Sequence, residues 1–115
     1  MSYNKYSNKK TKLDGYTFAS MAEANRYAEL KLLARAGAVR NIELQPEFLL
    51  QEGFKYQGKT IQAIKYRADF AYDEVLPNGC TQHVIEDTKG FRTEVYRFKR
   101  KILLYKYPDI IFRES

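Results

Sequence analysis

Asp69, Asp87 and Lys89 are the residues of this sequence whose types and spacing best suit chemistry. Asp69 lies in residues 65–72, which alternate like a strand, and Asp87 and Lys89 lie in residues 82–89, a second such run. Between them Leu76-Pro77-Asn78-Gly79 is a strong turn signal. Folding the two runs into an antiparallel hairpin about Asn78 sets Asp69 opposite Asp87, within one residue of register. Side chains alternate along a strand, so Lys89 projects with Asp87, while Glu86 and Thr88 project the other way. Two carboxylates directly opposite repel each other unless something neutralises them. A divalent cation does so, and all-oxygen ligation by aspartates suits Mg²⁺. Held there, Mg²⁺ would polarise a phosphate ester and lower the pKa of a bound water. A lysine beside it would orient that water or offset charge building in the transition state.

The elements that must position these residues are legible in outline. Ser20-x-x-Glu23 has capping-box spacing, and a helix is expected from there until Gly37 stops it. Tyr27, Leu30 and Ala34 share a face with Ala24, whereas Asn25, Arg26 and Glu29 lie on the other side. Glu23 falls on the apolar stripe, an odd place for a solvated glutamate, and so offers a further carboxylate. Residues 39–44 are extended and lead into Gln45-Pro46, residues 48–50 look like a strand, and Gly53 and Gly58 mark turns. A second helix is expected over residues 93–106, with Val95, Phe98, Ile102 and Tyr105 at i, i+3, i+7 and i+10. Pro108 ends it, and residues 110–112 make a last strand. Tyr66, Tyr72, Tyr96 and Tyr105 are expected in the core or half-buried. The order helix, three strands, helix, strand reads as an α/β domain whose central hairpin is antiparallel.

Composition bounds the rest. A length of 115 residues suits one domain, and twenty Lys and Arg against fourteen Asp and Glu leave a net charge of +6. That balance suggests a polyanionic partner, nucleic acid first and an anionic membrane surface second. One cysteine, Cys80, excludes an internal disulfide. With one histidine, His83, it also excludes a Cys/His zinc site and any multi-histidine nuclease centre. No Gly-x-Ser-x-Gly elbow supports a serine triad. No run approaches eighteen apolar residues and the N-terminus has no apolar stretch, so no membrane segment and a cytoplasmic location are expected. Residues 1–13, with Lys9 and Lys10, read as a flexible basic arm, and residues 14–115 as the single domain. Arg92, Arg97, Lys99, Arg100 and Lys101 surround the second helix's apolar stripe. Such a run is often only a solvated face, but beside a phosphodiester-cutting site it suits phosphate contact.

Asp69 followed by Asp87-Thr88-Lys89 within HVIEDTKG resembles the PD-(D/E)XK nuclease signature, with Ala68 where a proline usually precedes the first aspartate. F-x-S-x-x-E-A around Ser20 and Glu23, then Gln45-Pro46, Y-R-A-D-F and E-D-x-K-G, resemble a largely uncharacterised family of small phage-borne proteins in that superfamily. The likeness covers roughly residues 14–112. It implies a PD-(D/E)XK, restriction-endonuclease-like core of order α-β-β-β-α-β with a mixed sheet. It also implies metal-binding acids at Asp69 and Asp87, a catalytic lysine at Lys89, a helical acid at Glu23 and an active-site glutamine at Gln45. The expected activity is Mg²⁺-dependent DNA endonuclease, with Mn²⁺ able to substitute. Without a separate recognition domain, the expected substrate is chosen by structure, as in branched or Holliday-junction DNA, and a homodimer is expected because a junction has two strands to cut. Two alternatives stand beside this one: a non-catalytic nucleic-acid-binding protein on a nuclease-like scaffold, and a nicking nuclease or RNase without junction preference. Glu23 also has a plainer role as Ser20's capping partner, Asp69 as a surface strand aspartate paired with Arg67 or Lys89, and Asp87 and Lys89 as an ordinary same-face ion pair.

Overall fold

The computed structural model of the chain describes residues 10–88 and 92–115. It is a mixed α/β structure, mostly short strands, with two helices among the described residues. Helix α1, Met21–Arg35, starts where Ser20 caps it in extended conformation, its Oγ accepting the Glu23 N–H at 3.1 Å. It ends in a Schellman motif: Ala38 N–H donates to Leu33 O and Gly37 N–H to Ala34 O. Gly37 sits at φ +79°, where a side chain would be strained. Helix α2, Glu94–Lys106, is capped by Thr93, whose Oγ1 accepts the Tyr96 N–H at 3.0 Å.

Strands β1 (Thr11–Leu13) and β2 (Tyr16–Phe18) form a hairpin ahead of α1. After α1 come β3 (Val39–Leu44), β4 (Glu47–Gln51), β5 (Phe54–Tyr56), β6 (Lys59–Ile61), β7 (Ile64–Arg67), β8 (Phe70–Val75) and β9 (Thr81–Asp87). Strand β10, Ile111–Glu114, follows α2. The main sheet has the order β10-β9-β8-β3, antiparallel except for the parallel β9–β10 pair that α2 connects. Because side chains alternate across a sheet, Phe70, Tyr72 and Val84 join α1's Ala24, Tyr27 and Leu30 on one face. Ala71 and Ile85 join α2's Tyr96 and Leu103, with Leu50 and Tyr66, on the other. The sheet is thus covered by a helix on each side.

Several expectations change. Residues 65–72 do not run as one strand but break at Ala68-Asp69 into β7 and β8. The cause lies across the ladder, where Gln45-Pro46 separates β3 from β4 and Pro46 has no N–H to donate. Single bonds hold the bend, Gln45 N–H to Asp69 O and Ala68 N–H to Pro46 O. Residues 48–50 fall in β4, which pairs with β7 outside the main sheet. The hairpins β1–β2 and β5–β6 were not expected at all, and Thr11–Leu13 is a paired strand where the sequence suggests a flexible arm. Of the four tyrosines expected inside, Tyr66, Tyr72 and Tyr96 are buried but Tyr105 is not. No helix among the described residues is long and apolar enough to cross a membrane.

Candidate functional site

The bend in the ribbon puts Asp69 at a break between strands, opposite the last residue of β9. Pairing of Phe70 with Glu86 and of Val75 with Thr81 gives the register that, carried one step further, faces Asp69 with Asp87. Asp69 N–H donates to Asp87 Oδ1 at 3.0 Å and to Glu86 O at 3.2 Å. Asp69 Oδ2 accepts from Thr88 twice, from its N–H at 2.7 Å and its hydroxyl at 2.8 Å. Its Oδ1 takes no hydrogen bond from the described residues, and Asp69 is half-exposed. Asp87 is fully buried, and its carbonyl accepts from Ser115 N–H at the chain's end. Thr88 therefore does not point away with Glu86. The strand stops at Asp87, so alternation no longer governs the next residue, and Thr88 wraps onto Asp69.

Gln45 meets the same point from β3. Its N–H donates to Asp69 O at 2.9 Å, and its φ of +51° is a left-handed conformation that costs a non-glycine residue about 1 kcal/mol or more. With Tyr16, Phe18 and Leu44 it lines a hollow of about 270 Å³. Glu23 is buried in the first turn of α1, where its N–H binds the cap. The described acids do not gather it with Asp69 and Asp87, since no three Asp, Glu, His or Cys side chains among the described residues stand close enough to hold a metal. Lys89 and Lys9 lie outside the described residues.

The basic residues divide. Arg92 Nε lies 3.1 Å from Glu114 Oε2 and Arg100 Nε 3.9 Å, and the Arg100 guanidinium stacks 4.9 Å from the Phe112 ring. Those two are held by β10 more than offered to a phosphate. Arg97, Lys101 and Lys10 are exposed and Lys99 is half-buried. Arg97 and Lys101, with Arg92 and Arg100, border an open hollow of about 620 Å³ beside α2, which Glu94 and Glu114 also line.

Sequence reasoning missed the strongest polar cluster. Glu86, on the face away from Asp87, is wholly buried beneath α1. Arg26 grips it with Nε at 2.6 Å and a terminal nitrogen at 3.1 Å, and Tyr72 OH donates at 2.5 Å. Arg113 donates to Tyr72 OH at 3.1 Å and to Glu74, extending the network to β10. Burial pushes the Glu86 pKa up, but the hydrogen bonds from Arg26 and Tyr72 outweigh it and hold the carboxyl below its ordinary range. The available signal was parity: Glu86 alternates with Val84 on the α1 face. On the other face, burial together with a hydrogen bond to Glu114 and the Asp87 charge raises the Tyr96 phenol.

A family model described as a protein of unknown function (DUF1064) matches residues 3–113. No curated protein and no solved structure matches the chain.

Proposed function

The chain belongs to that family of unknown function, and from this premise we propose, on its own residues, that it is a divalent-metal-dependent DNA endonuclease. The observation that carries the reading is the pairing of Asp69 with Asp87 at the end of β8–β9 away from the Asn78 turn, with Asp69 half-exposed. The resemblance to PD-(D/E)XK nucleases asks for two acids in that relation on a mixed α/β domain, and the chain is mixed α/β with two helices among the described residues.

Asp69 and Asp87 present only oxygen donors, which fit a hard cation such as Mg²⁺. When bound, such a cation supplies Lewis acidity for phosphodiester hydrolysis. The chain's own part is orientation. Thr88 fixes one Asp69 oxygen, and the backbone bonds from Gln45 and to Asp87 hold Asp69 from both sides. Lys89, two residues beyond Asp87, is assigned the role of steadying transition-state charge. On this reading the substrate is selected by shape, as a branched or junction DNA, and cutting both strands of a junction calls for two copies.

The test is cleavage of four-way junction, flap, linear duplex and single-stranded DNA with Mg²⁺, Mn²⁺ or EDTA. Cutting is expected with either metal and not with EDTA. Asp69→Asn, Asp87→Asn and Lys89→Ala should each slow it by about 100-fold or more. Undiminished cutting by these variants would remove the site assignment. The second reading, a non-catalytic nucleic-acid binder, is favoured by the lack of a third acid beside the pair among the described residues. It would be supported by salt-sensitive binding without cleavage of any substrate.

A further inference from the structure

Helix α2 has a second apolar face that neither the core nor the carboxylate pair uses. Val95, Phe98, Ile102 and Tyr105 are 61%, 61%, 38% and 87% exposed, while Tyr96 and Leu103 on the opposite side are buried. Only one face of the helix therefore meets this chain's own sheet. A row of large apolar side chains left in water marks an interaction surface. Their spacing is that of the a and d positions of a two-heptad seam, which accepts another helix by knobs-into-holes packing.

We propose that this face is a homodimer interface, α2 packing antiparallel against α2 of a second copy about a two-fold axis. The proposal goes beyond the activity above and stands whether or not the chain cuts DNA. A two-fold contact must be self-complementary, and this one is. Val95 meets the partner's Tyr105 and Phe98 meets the partner's Ile102, so each layer sets a smaller side chain against an aromatic one. On one flank the exposed Glu94 faces the partner's Lys101, twice by symmetry. On the other flank Lys99 would oppose a lysine, but Lys106 is turned back to its own chain, where Nζ donates to the Leu49 and Leu50 carbonyls. The four side chains cover on the order of 400 Å² per copy. That is about half the roughly 800 Å² per partner of a standard interface, so the dimer depends on concentration.

Sedimentation velocity of the full chain without DNA, across a wide concentration range, tests this. The mass should move from one chain to two as concentration rises. Phe98→Glu should raise the dissociation constant about 30-fold or more, with a melting temperature unchanged from wild type at concentrations where both are single chains. Glu94→Lys and Lys101→Glu should each weaken the dimer, and the two together should restore it. Phe54→Glu on the exposed β5–β6 hairpin should leave association intact. A single-chain mass at every concentration overturns the proposal. So does a dimer that survives Phe98→Glu, one that Phe54→Glu abolishes, or a double charge swap that fails to rescue.

Discussion

Two carboxylates one residue apart in sequence, Glu86 and Asp87, serve opposite ends. Glu86 faces α1 and is bound up by Arg26 and Tyr72, whereas Asp87 faces α2 and braces Asp69. Removing one partner of a buried charge pair strands the other, so Glu86→Gln should cost about 3 kcal/mol or more in urea unfolding at neutral pH. Asp69→Asn, at a half-exposed position, should cost well under that, which separates a folding defect from a chemical one. The network also sets an acid limit. Glu86, Asp73, Glu74 and Glu114 are all held below their ordinary range in the fold. The unfolded chain therefore takes up protons first as pH falls. Their stabilisation is full above the ordinary carboxylate pKa of about 4.3 and is lost below it. The Tm should fall as pH drops through that region, and less steeply in Glu86→Gln.

At the scale of elements, the bend between β3–β4 and β7–β8 is what makes a site. A straight ribbon would have continued its ladder past Asp69 and bonded the main-chain groups now used to position it. The bend requires Gln45 in a left-handed conformation before Pro46. A β-branched residue tolerates that region poorly, so Gln45→Val should lower stability by about 1–2 kcal/mol. If the proposed nuclease activity holds, it should slow cleavage as well, by shifting Asp69. Gln45→Gly, which accepts the same φ, should keep the melting temperature near that of the wild type. A left-handed Gln45 could not be read from sequence, because only the strand-pairing partners reveal that the chain must turn there.

Over the whole molecule, shape and charge both depart from a simple sphere. The radius of gyration is 16.6 Å, against roughly 13 Å for a compact chain of this length. Part of the excess is the β5–β6 hairpin, all six of its strand residues exposed, Phe54, Tyr56 and Ile61 among them. The net charge of +6 is also less available than its count suggests, since Glu114 engages Arg92 and Arg100. Arg97 is exposed and clear of that pair. If the chain binds DNA as proposed, Arg97→Ala should reduce the slope of log affinity against log salt by about 1, with little change in stability. Arg92→Ala should change the slope less, because Glu114 already offsets its charge.

By itself the sequence determined the local grammar: both helices, the first with its Ser20 cap and Gly37 stop, the Asn78 turn and the facing of Asp69 with Asp87. Each rests on spacing and on residues near in sequence, which is where capping, periodicity and hairpin register act. Only the tertiary structure decided which apolar stripe turns inward. The Val95–Phe98–Ile102–Tyr105 row satisfies helical periodicity as well as the buried Tyr96 and Leu103 do, and periodicity alone cannot choose between two apolar faces. It likewise decided that Glu86 is gripped by Arg26 from sixty residues away and that Thr88 folds back onto Asp69, since both depend on where separate elements come to lie against one another.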